Sequence, residues 1–291
     1  MDGVLDTFEA CKKRWLIDEE LDNSFLRYPE WLEKMPEELA EIVNSLMPGF
    51  DYYNHHSVNE RLKMLYEELQ QIETVDFENT FYSVLHSQDE RCNSSYEYLL
   101  EYKSINGISK YVVIPNLKEK TKEDLDHIEN IVFVDDFCGT GKTFKDYIES
   151  VKDIIKDKHI YYSVIHIMDK AAKKIERYAE DNNLKIHILC QTCTPKAFER
   201  KTQMDERRAD FKRLSIEYGL PGKNVLGYNK AEALVAFFSD TPNDTLEIFW
   251  RDTDNNKAIF SRVDDEKPEW QKMKKNKKNR SASNYLKGSR Q

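Results

Sequence analysis

Apolar positions along the chain follow one spacing up to about residue 75 and another after it. In SVNERLKMLYEELQQI, Leu62, Leu65, Leu69 and Ile72 recur every three or four residues and mark one face of a helix. Ser57 and Glu60 stand at capping-box spacing at its start, and the adjacent His55 and His56 read as a solvated approach to that helix rather than a ligand pair. Upstream, WLEKMPEELAEIVNSLM predicts a helix that begins at Pro36, is followed by acidic residues and is stopped by Met47-Pro48-Gly49. Residues 1–75 therefore read as a helical N-terminal extension.

From about residue 78 the apolar runs shorten and fill with Val, Ile, Phe and Tyr, as buried strands do. They are residues 81–86 (FYSVLH), 111–114 (YVVI), 131–134 (IVFV), 160–167 (IYYSVIHI) and 186–189 (IHIL). Helical spacing occupies residues 96–102, 143–155 and 170–179 between them. Strand and helix in alternation predict an α/β fold, a parallel sheet covered on both faces. Residues 226–250 (LGYNKAEALVAFFSDTPNDTLEIFW) supply a further helix or strand and a Pro-Asn turn, and ordered structure is predicted to end near Arg262. The chain thus divides into residues 1–75, 76–262 and a tail, 263–291, predicted to be disordered.

One stretch carries chemistry: IVFVDDFCGTGKTF, residues 131–144. In an open parallel sheet ligands sit beyond the carboxyl ends of the strands, where Asp135 and Asp136 fall. Gly139, Thr140 and Gly141 let backbone amides and a hydroxyl come close, and the helix they open turns its positive end towards whatever is bound. Amides at a helix start suit a phosphate, and paired carboxylates suit sugar hydroxyls or a hydrated Mg²⁺. Together they point to a phosphorylated sugar. A Walker A loop would need glycine where Asp136 stands, so that reading fails on spacing. A buried strand followed by an ordinary polar turn is the plain alternative, and consecutive aspartates at a strand end are costly unless something pairs with them.

Composition narrows the class. With 291 residues, 40% of them apolar and 33% charged, the chain can bury a full core beneath a polar surface. No apolar run approaches the ~20 residues of a membrane helix, and the start, MDGVLDTFEACKKRW, lacks signal-peptide character; a soluble, cytoplasmic protein is expected. Five cysteines are too few and scattered for a disulfide framework, and Cys190 and Cys193, a C-x-x-C without a second pair, read as small residues at a strand end. From Lys267 onward nine Lys or Arg stand against Glu269 alone, a balance of +8, so the remainder carries −17 of the net −9. That tail, KMKKNKKNRSASNYLKGSRQ, can lie along phosphates and stack Tyr285 on a base, or simply be solvated.

IVFVDDFCGTGKT resembles the 13-residue signature of the type I phosphoribosyltransferases: four apolar strand residues, two acids and a T-G-x-T loop. The resemblance implies a type I phosphoribosyltransferase-like sheet over residues 76–262. It also implies that Asp135 and Asp136 hold the ribose of phosphoribosyl pyrophosphate (PRPP) and, indirectly, Mg²⁺. Gly139, Thr140, Gly141, Lys142 and Thr143 would then cradle the 5′-phosphate. The family's pyrophosphate loop falls on HSQDERCNSSYEYL, where Ser87, Arg91, Asn93, Ser94 and Ser95 offer donors, with Arg91, Ser94 and Ser95 as the leaving-group candidates. Lys170, just past the fourth apolar run, would meet a base or the pyrophosphate, or else simply start a helix in solvent. Two features depart from the pattern. The hypoxanthine-guanine branch has an aspartate before T-G-K-T where this chain has Gly139, and the loop at residues 116–130 is short.

The whole chain resembles the divergent phosphoribosyltransferase-like effectors of bacterial conflict and anti-phage systems, some of them retron-associated, in Gly227-Tyr228, Ala233-Leu234-Val235, Thr241-Pro242-Asn243 and Trp250. That implies a defence effector acting by phosphoribosyl transfer or by nucleotide cleavage. The alternatives are a PRPP- or nucleotide-sensing module without turnover, and a protein tethered by its tail to nucleic acid or to a reverse transcriptase with its DNA product.

Overall fold

Among the described residues, four α-helices and one short strand precede the sheet: α1 (Asp2–Trp15), α2 (Tyr28–Glu33), α3 (Glu37–Leu46), β1 (Asp51–Tyr53) and α4 (His55–Gln70). They come from a computed structural model that describes residues 2–16, 25–86, 94–199, 204–254, 257–260 and 262. The basic tail, 263–291, lies outside the described residues, and residues 1–261 form the unit considered below. The predicted apolar face of α4 is buried at Leu62, Leu65 and Leu69. Its start is a correction: the cap is Asn54, not Ser57, and the Asn54 side chain accepts from the Ser57 amide at 2.8 Å. Asn54 wins because its amide nitrogen also donates to the carbonyls of Trp15 and Leu16, each at 3.0 Å, tying the helix start to the end of α1. His55 and His56 therefore lie in the first turn. His55 sits 3.3 Å from Glu101 and meets the Phe238 ring edge-on. Pro36 caps α3, which runs from Glu37 to the Met47–Gly49 turn.

The central sheet is parallel throughout. Its strands are β2 (Thr80–Ser83), β3 (Val113–Ile114), β4 (Asn130–Cys138), β5 (His159–Met168) and β6 (Lys185–Thr194), in the order β3-β2-β4-β5-β6. The helices α5 (Ser94–Ile105), α6 (Lys142–Ile155) and α7 (Asp169–Asn182) connect them, which is the α/β architecture that the alternation of runs predicts. Residues 131–134 are all buried because both faces of β4 are covered. Phe133 meets Phe144 and Tyr147 of α6 edge-on. In β5, Tyr162 stacks on Phe144 while the neighbouring Tyr161 reaches Thr74 in the segment after α4.

Strand ends differ from the sequence expectation for one reason: hydrogen-bonded pairing does not stop where the apolar run stops. β4 continues through both aspartates, with Asp135 opposite Val164 and Cys138 opposite Ile167. β6 likewise runs to Thr194 and contains both Cys190 and Cys193. At the far edge the reverse holds, since residues 110–112 make a tight turn and β3 keeps only two residues.

A second core lies beside the sheet. Helices α1 to α3 pack with α8 (Met204–Glu217) and with residues near 246–260, around the rings of Trp15, Phe25, Phe50, Phe249 and Phe260. Phe50 stacks on Phe260 with ring centroids 4.8 Å apart. α4, by contrast, belongs to the core of the sheet. β1 pairs in parallel with β7 (Val235–Phe237), so the segment after α8 is stitched to the N-terminal part. Among the described residues no helix is long and apolar enough to cross a membrane.

Candidate functional site

β4 ends at Cys138 and α6 begins at Lys142, so Gly139, Thr140 and Gly141 make the whole turn between them. Gly141 adopts φ +68°, a left-handed value that glycine takes without strain, and it caps α6 with no side-chain hydrogen bond. Thr140 Oγ1 lies 3.4 Å from the Lys142 amide. The direction of α6 is set by its buried face of Phe144, Tyr147, Ile148, Val151 and Ile155. Its positive end therefore points at a cavity of about 200 Å³, lined by residues 139–143 together with Ser94, Asp135 and Tyr162.

The two aspartates part company here. Asp135 borders the cavity and is buried. Its Oδ2 accepts from the Tyr162 hydroxyl at 2.9 Å; its Oδ1 accepts from the Asp136 amide at 3.2 Å and lies 3.4 Å from Ser94 Oγ. Burial, and then the neighbouring Asp136 charge, push the Asp135 carboxyl well above the ordinary aspartate range, against the pull of Tyr162. Burial also raises Asp136, opposed by hydrogen bonds from Asp135 and Ser94. Two carboxyls so placed share a proton more readily than they carry two charges. Asp136, however, does not line the cavity; its charge acts on Tyr98, whose hydroxyl is held well up, first by burial and then by Asp136. Cys138 also lines the cavity, but burial pushes its thiol to about 12, so it stays protonated and unreactive at neutral pH.

A second, larger cavity of about 520 Å³ adjoins the first and shares Thr140, Lys142, Thr143 and Asp244 with it. His86, Lys118, Tyr147, Tyr228 and Asn243 complete much of its wall. Asp244 explains why residue 139 is glycine. A Cβ there would come within 2.9 Å of Asp244 Cβ and closer still to its carboxyl, so the space beside the loop is already taken.

Of the other residues singled out in the sequence, Ser94 and all five loop residues line the first cavity. Ser95 does not: its hydroxyl is buried, donates to Val134 O at 2.7 Å and accepts from the Leu85 amide at 3.1 Å, a tie between α5 and the sheet that leaves nothing for a leaving group. Ser94 and Ser95 differ because neighbouring helical residues project in different directions. Lys170 lies in the first turn of α7, exposed and paired with Glu199, and lines neither cavity. Arg91, with Ser87 and Asn93, lies outside the described residues. Lys142 pairs with Asp146 one turn on, and Lys174 reaches the Thr140 carbonyl at 3.3 Å.

Sequence reasoning passed over Tyr162, Lys118, His86 and Asp244. Only Asp244 carried a signal, being the residue after Thr241-Pro242-Asn243. Among the described residues no group of three His, Cys, Asp or Glu comes together as a metal site. Mg²⁺ asks less than that, one or two carboxylates completed by ligand phosphate and water. Asp135 and Asp244, bordering the same cavity, fit that requirement; Asp136 does not.

A family model described as PRTase-CE matches residues 29–262. No curated protein matches the chain. Among solved structures, the Helicobacter pylori xanthine-guanine-hypoxanthine phosphoribosyltransferase is similar at 13% identity, over 50% of this chain and 92% of its own, with a TM-score of 0.33.

Proposed function

The chain belongs to the PRTase-CE family, a phosphoribosyltransferase-like one, and we propose that its smaller cavity binds a pentose 5-phosphate, as PRPP or as a nucleotide. The observation that carries this reading is the start of α6: a turn whose cap residue is glycine, with only a 3.4 Å contact from Thr140 Oγ1 to the Lys142 amide, facing a cavity that a buried acid also borders. The 5-phosphate sits on the amides and hydroxyls of Gly139, Thr140, Gly141 and Thr143, with the helix dipole behind it. Lys142 spends its charge on Asp146, so it adds little to the cradle. A sugar placed beyond the phosphate turns its hydroxyls towards Asp135, whose orientation Tyr162 fixes.

The chemistry supported is breakage at the anomeric carbon, either phosphoribosyl transfer or cleavage of an N-glycosidic bond. Positive charge then develops on the ring and negative charge on the departing group, and the anchored phosphate holds the ring in place for attack. Magnesium, when bound, would supply positive charge to a leaving pyrophosphate, and Asp135 and Asp244 would be the residues to hold it. A role as an anti-phage effector, and a nucleic-acid or reverse-transcriptase partner for residues 263–291, belong to the same proposal.

Calorimetric titration of the full chain with ribose 5-phosphate, PRPP and nucleoside monophosphates tests binding, and chromatography of pyrophosphate and free base tests turnover. Saturable binding that Thr143→Ala weakens is expected. No saturable binding to wild-type protein would sink the reading. Binding without product would instead favour a sensor, a reading that the core-bound hydroxyl of Ser95 supports.

A further inference from the structure

Three rings share one face of the sheet at the amino ends of β5 and β6. His159 opens β5, and the register sets Tyr161 opposite His187 and His159 opposite Lys185. Because side chains alternate along a strand, all four project to the side on which Tyr161 reaches Thr74. The rings lie nearly parallel: Tyr161 stacks on His187 at 5.0 Å and 21°, and His187 on His159 at 5.4 Å and 14°. His159 Nδ1 and His187 Nε2 stand 3.2 Å apart. None of these residues lines either cavity.

Two imidazole nitrogens that face each other so closely cannot both carry a proton; one donates and the other accepts. His187 is held below the ordinary imidazole range, first by burial and then by the charge of His159, which keeps it in the neutral form that binds metals. With metal–nitrogen bonds of ~2.0–2.1 Å, two nitrogens on one tetrahedral ion stand about 3.3–3.4 Å apart, and two at a right angle about 2.8–3.0 Å. The spacing of 3.2 Å falls between these values. Moving the shared proton to the far nitrogen of its own ring frees both lone pairs, with no proton lost and no charge made. Each lone pair then turns by about 35° to meet a common tetrahedral ion, a swing within the broad χ2 well of histidine. His187 is exposed and His159 half-buried, so an ion with its water can enter from solvent. A tie between β5 and β6 alone would need neither imidazole, since the two strands already pair from His159 to Met168.

We propose that His159 and His187 form a two-imidazole site for a divalent transition metal such as Zn²⁺, with water completing its shell. The ion staples β5 to β6, the last pair in the sheet order. Only two protein ligands take part, in keeping with the lack of any group of three among the described residues. That number, and the Lys185 charge across from His159, set the affinity in the micromolar range rather than at the level of four-ligand structural sites. The site is independent of the phosphate-cradle reading and stands whether or not that reading holds.

The test is calorimetric titration of the full chain with Zn²⁺ in a non-chelating buffer, for wild type, His159→Gln and His187→Gln, joined to two-dimensional NMR of the imidazole nitrogens in the wild type. Either variant is expected to lose one equivalent of binding that the wild type shows, a weakening beyond the ~10–100-fold that loss of an outer-shell partner costs. In the spectra, Zn²⁺ should shift His159 Nδ1 and His187 Nε2 together. At about ten times Kd it should raise the wild-type Tm by about 3–6 °C, and neither variant's by as much. Identical isotherms for the three proteins overturn the proposal. So does a spectrum in which one imidazole moves without the other, the mark of a single-histidine surface contact. Should a variant fail to fold, the wild-type spectrum still decides.

Discussion

Gly227→Ala tests whether the segment that delivers Asp244 is as constrained as its geometry implies. Gly227 sits at φ +76° and ψ 167°, a region that side-chain-bearing residues all but avoid, at a cost of about 1–3 kcal/mol. The new Cβ would also lie 2.7 Å from the Asp244 carbonyl carbon and 3.3 Å from its Cα. The obstacle is backbone, which cannot swing aside, and forced repacking of that kind adds about 1–3 kcal/mol. The sum is roughly 2–6 kcal/mol, against the ~5–15 kcal/mol that a domain has to lose. Gly107→Ala is the control: φ is +65° and nothing lies within 4 Å, so only the left-handed backbone term applies, about 1–2 kcal/mol. At about 2–4 °C per kcal/mol for a chain approaching this size, Tm should fall by roughly 8–16 °C for Gly227→Ala at mid-range. Gly107→Ala should fall by about 3–6 °C. Scanning calorimetry on both variants decides the matter. Equal losses would refute the reasoning, since they would mean the chain around Asp244 yields without penalty.

Gly139→Ala meets the Asp244 side chain down to its Cβ, so it should cost about 1–3 kcal/mol of stability and also weaken ribose 5-phosphate binding, because the Asp244 carboxyl is displaced. A calorimetric titration showing unimpaired affinity would count against this. Asp135→Asn should stabilise the protein more at about pH 8 than at about pH 5. Burial raises the Asp135 carboxyl in the folded chain, so its contribution is fully present below the unfolded aspartate range and is lost as pH rises through the folded value. A gain in Tm independent of pH, or larger in acid, would contradict that assignment. Glu232→Gln breaks a buried ion pair whose partners Arg208 and Lys196 remain partly in water, so the loss should sit near the low end for such pairs, about 3 kcal/mol. Urea denaturation with no shift in midpoint would show that the pair is not what holds residues 229–232.

The sheet and the glycine turn before α6 were legible because their signals are local. An apolar run, two acids and a glycine turn lie within fourteen residues, and α6 follows with its own apolar period. The start of α4 was set three residues late because the feature that selects Asn54 is a pair of carbonyls at the end of α1, far away in sequence. β1 and β7, three residues each, are too short for any period to show, and they exist because they pair with each other. α8 hides its buried Phe211 and Leu214 among charged neighbours. Within the site, Ser94 and Ser95 look alike as letters, and only the orientation of α5 separates a cavity residue from a core tie. Gly139 read as a missing acid; in space it is the vacancy that admits one from residue 244.

That last relation ties the two cores together. The segment carrying Asp244 runs directly into Leu246, Ile248 and Phe249, which are buried among the rings of the N-terminal helices. The Trp250 indole donates back to Thr245 O at 2.9 Å, one residue from Asp244. On its other side Val235 pairs with Asp51 of β1, and Tyr53 at the end of that strand reaches across to His166 and Thr192 at the carboxyl ends of β5 and β6. The wall of the larger cavity is therefore held by contacts that begin in α1 to α3, while its floor belongs to α6 and the turn before it. A ligand bridging floor and wall would stabilise both cores at once, since anything that binds only the assembled site adds its binding energy to folding. The N-terminal helices are in this sense part of the foundation of the site, although none of their described residues lines either cavity.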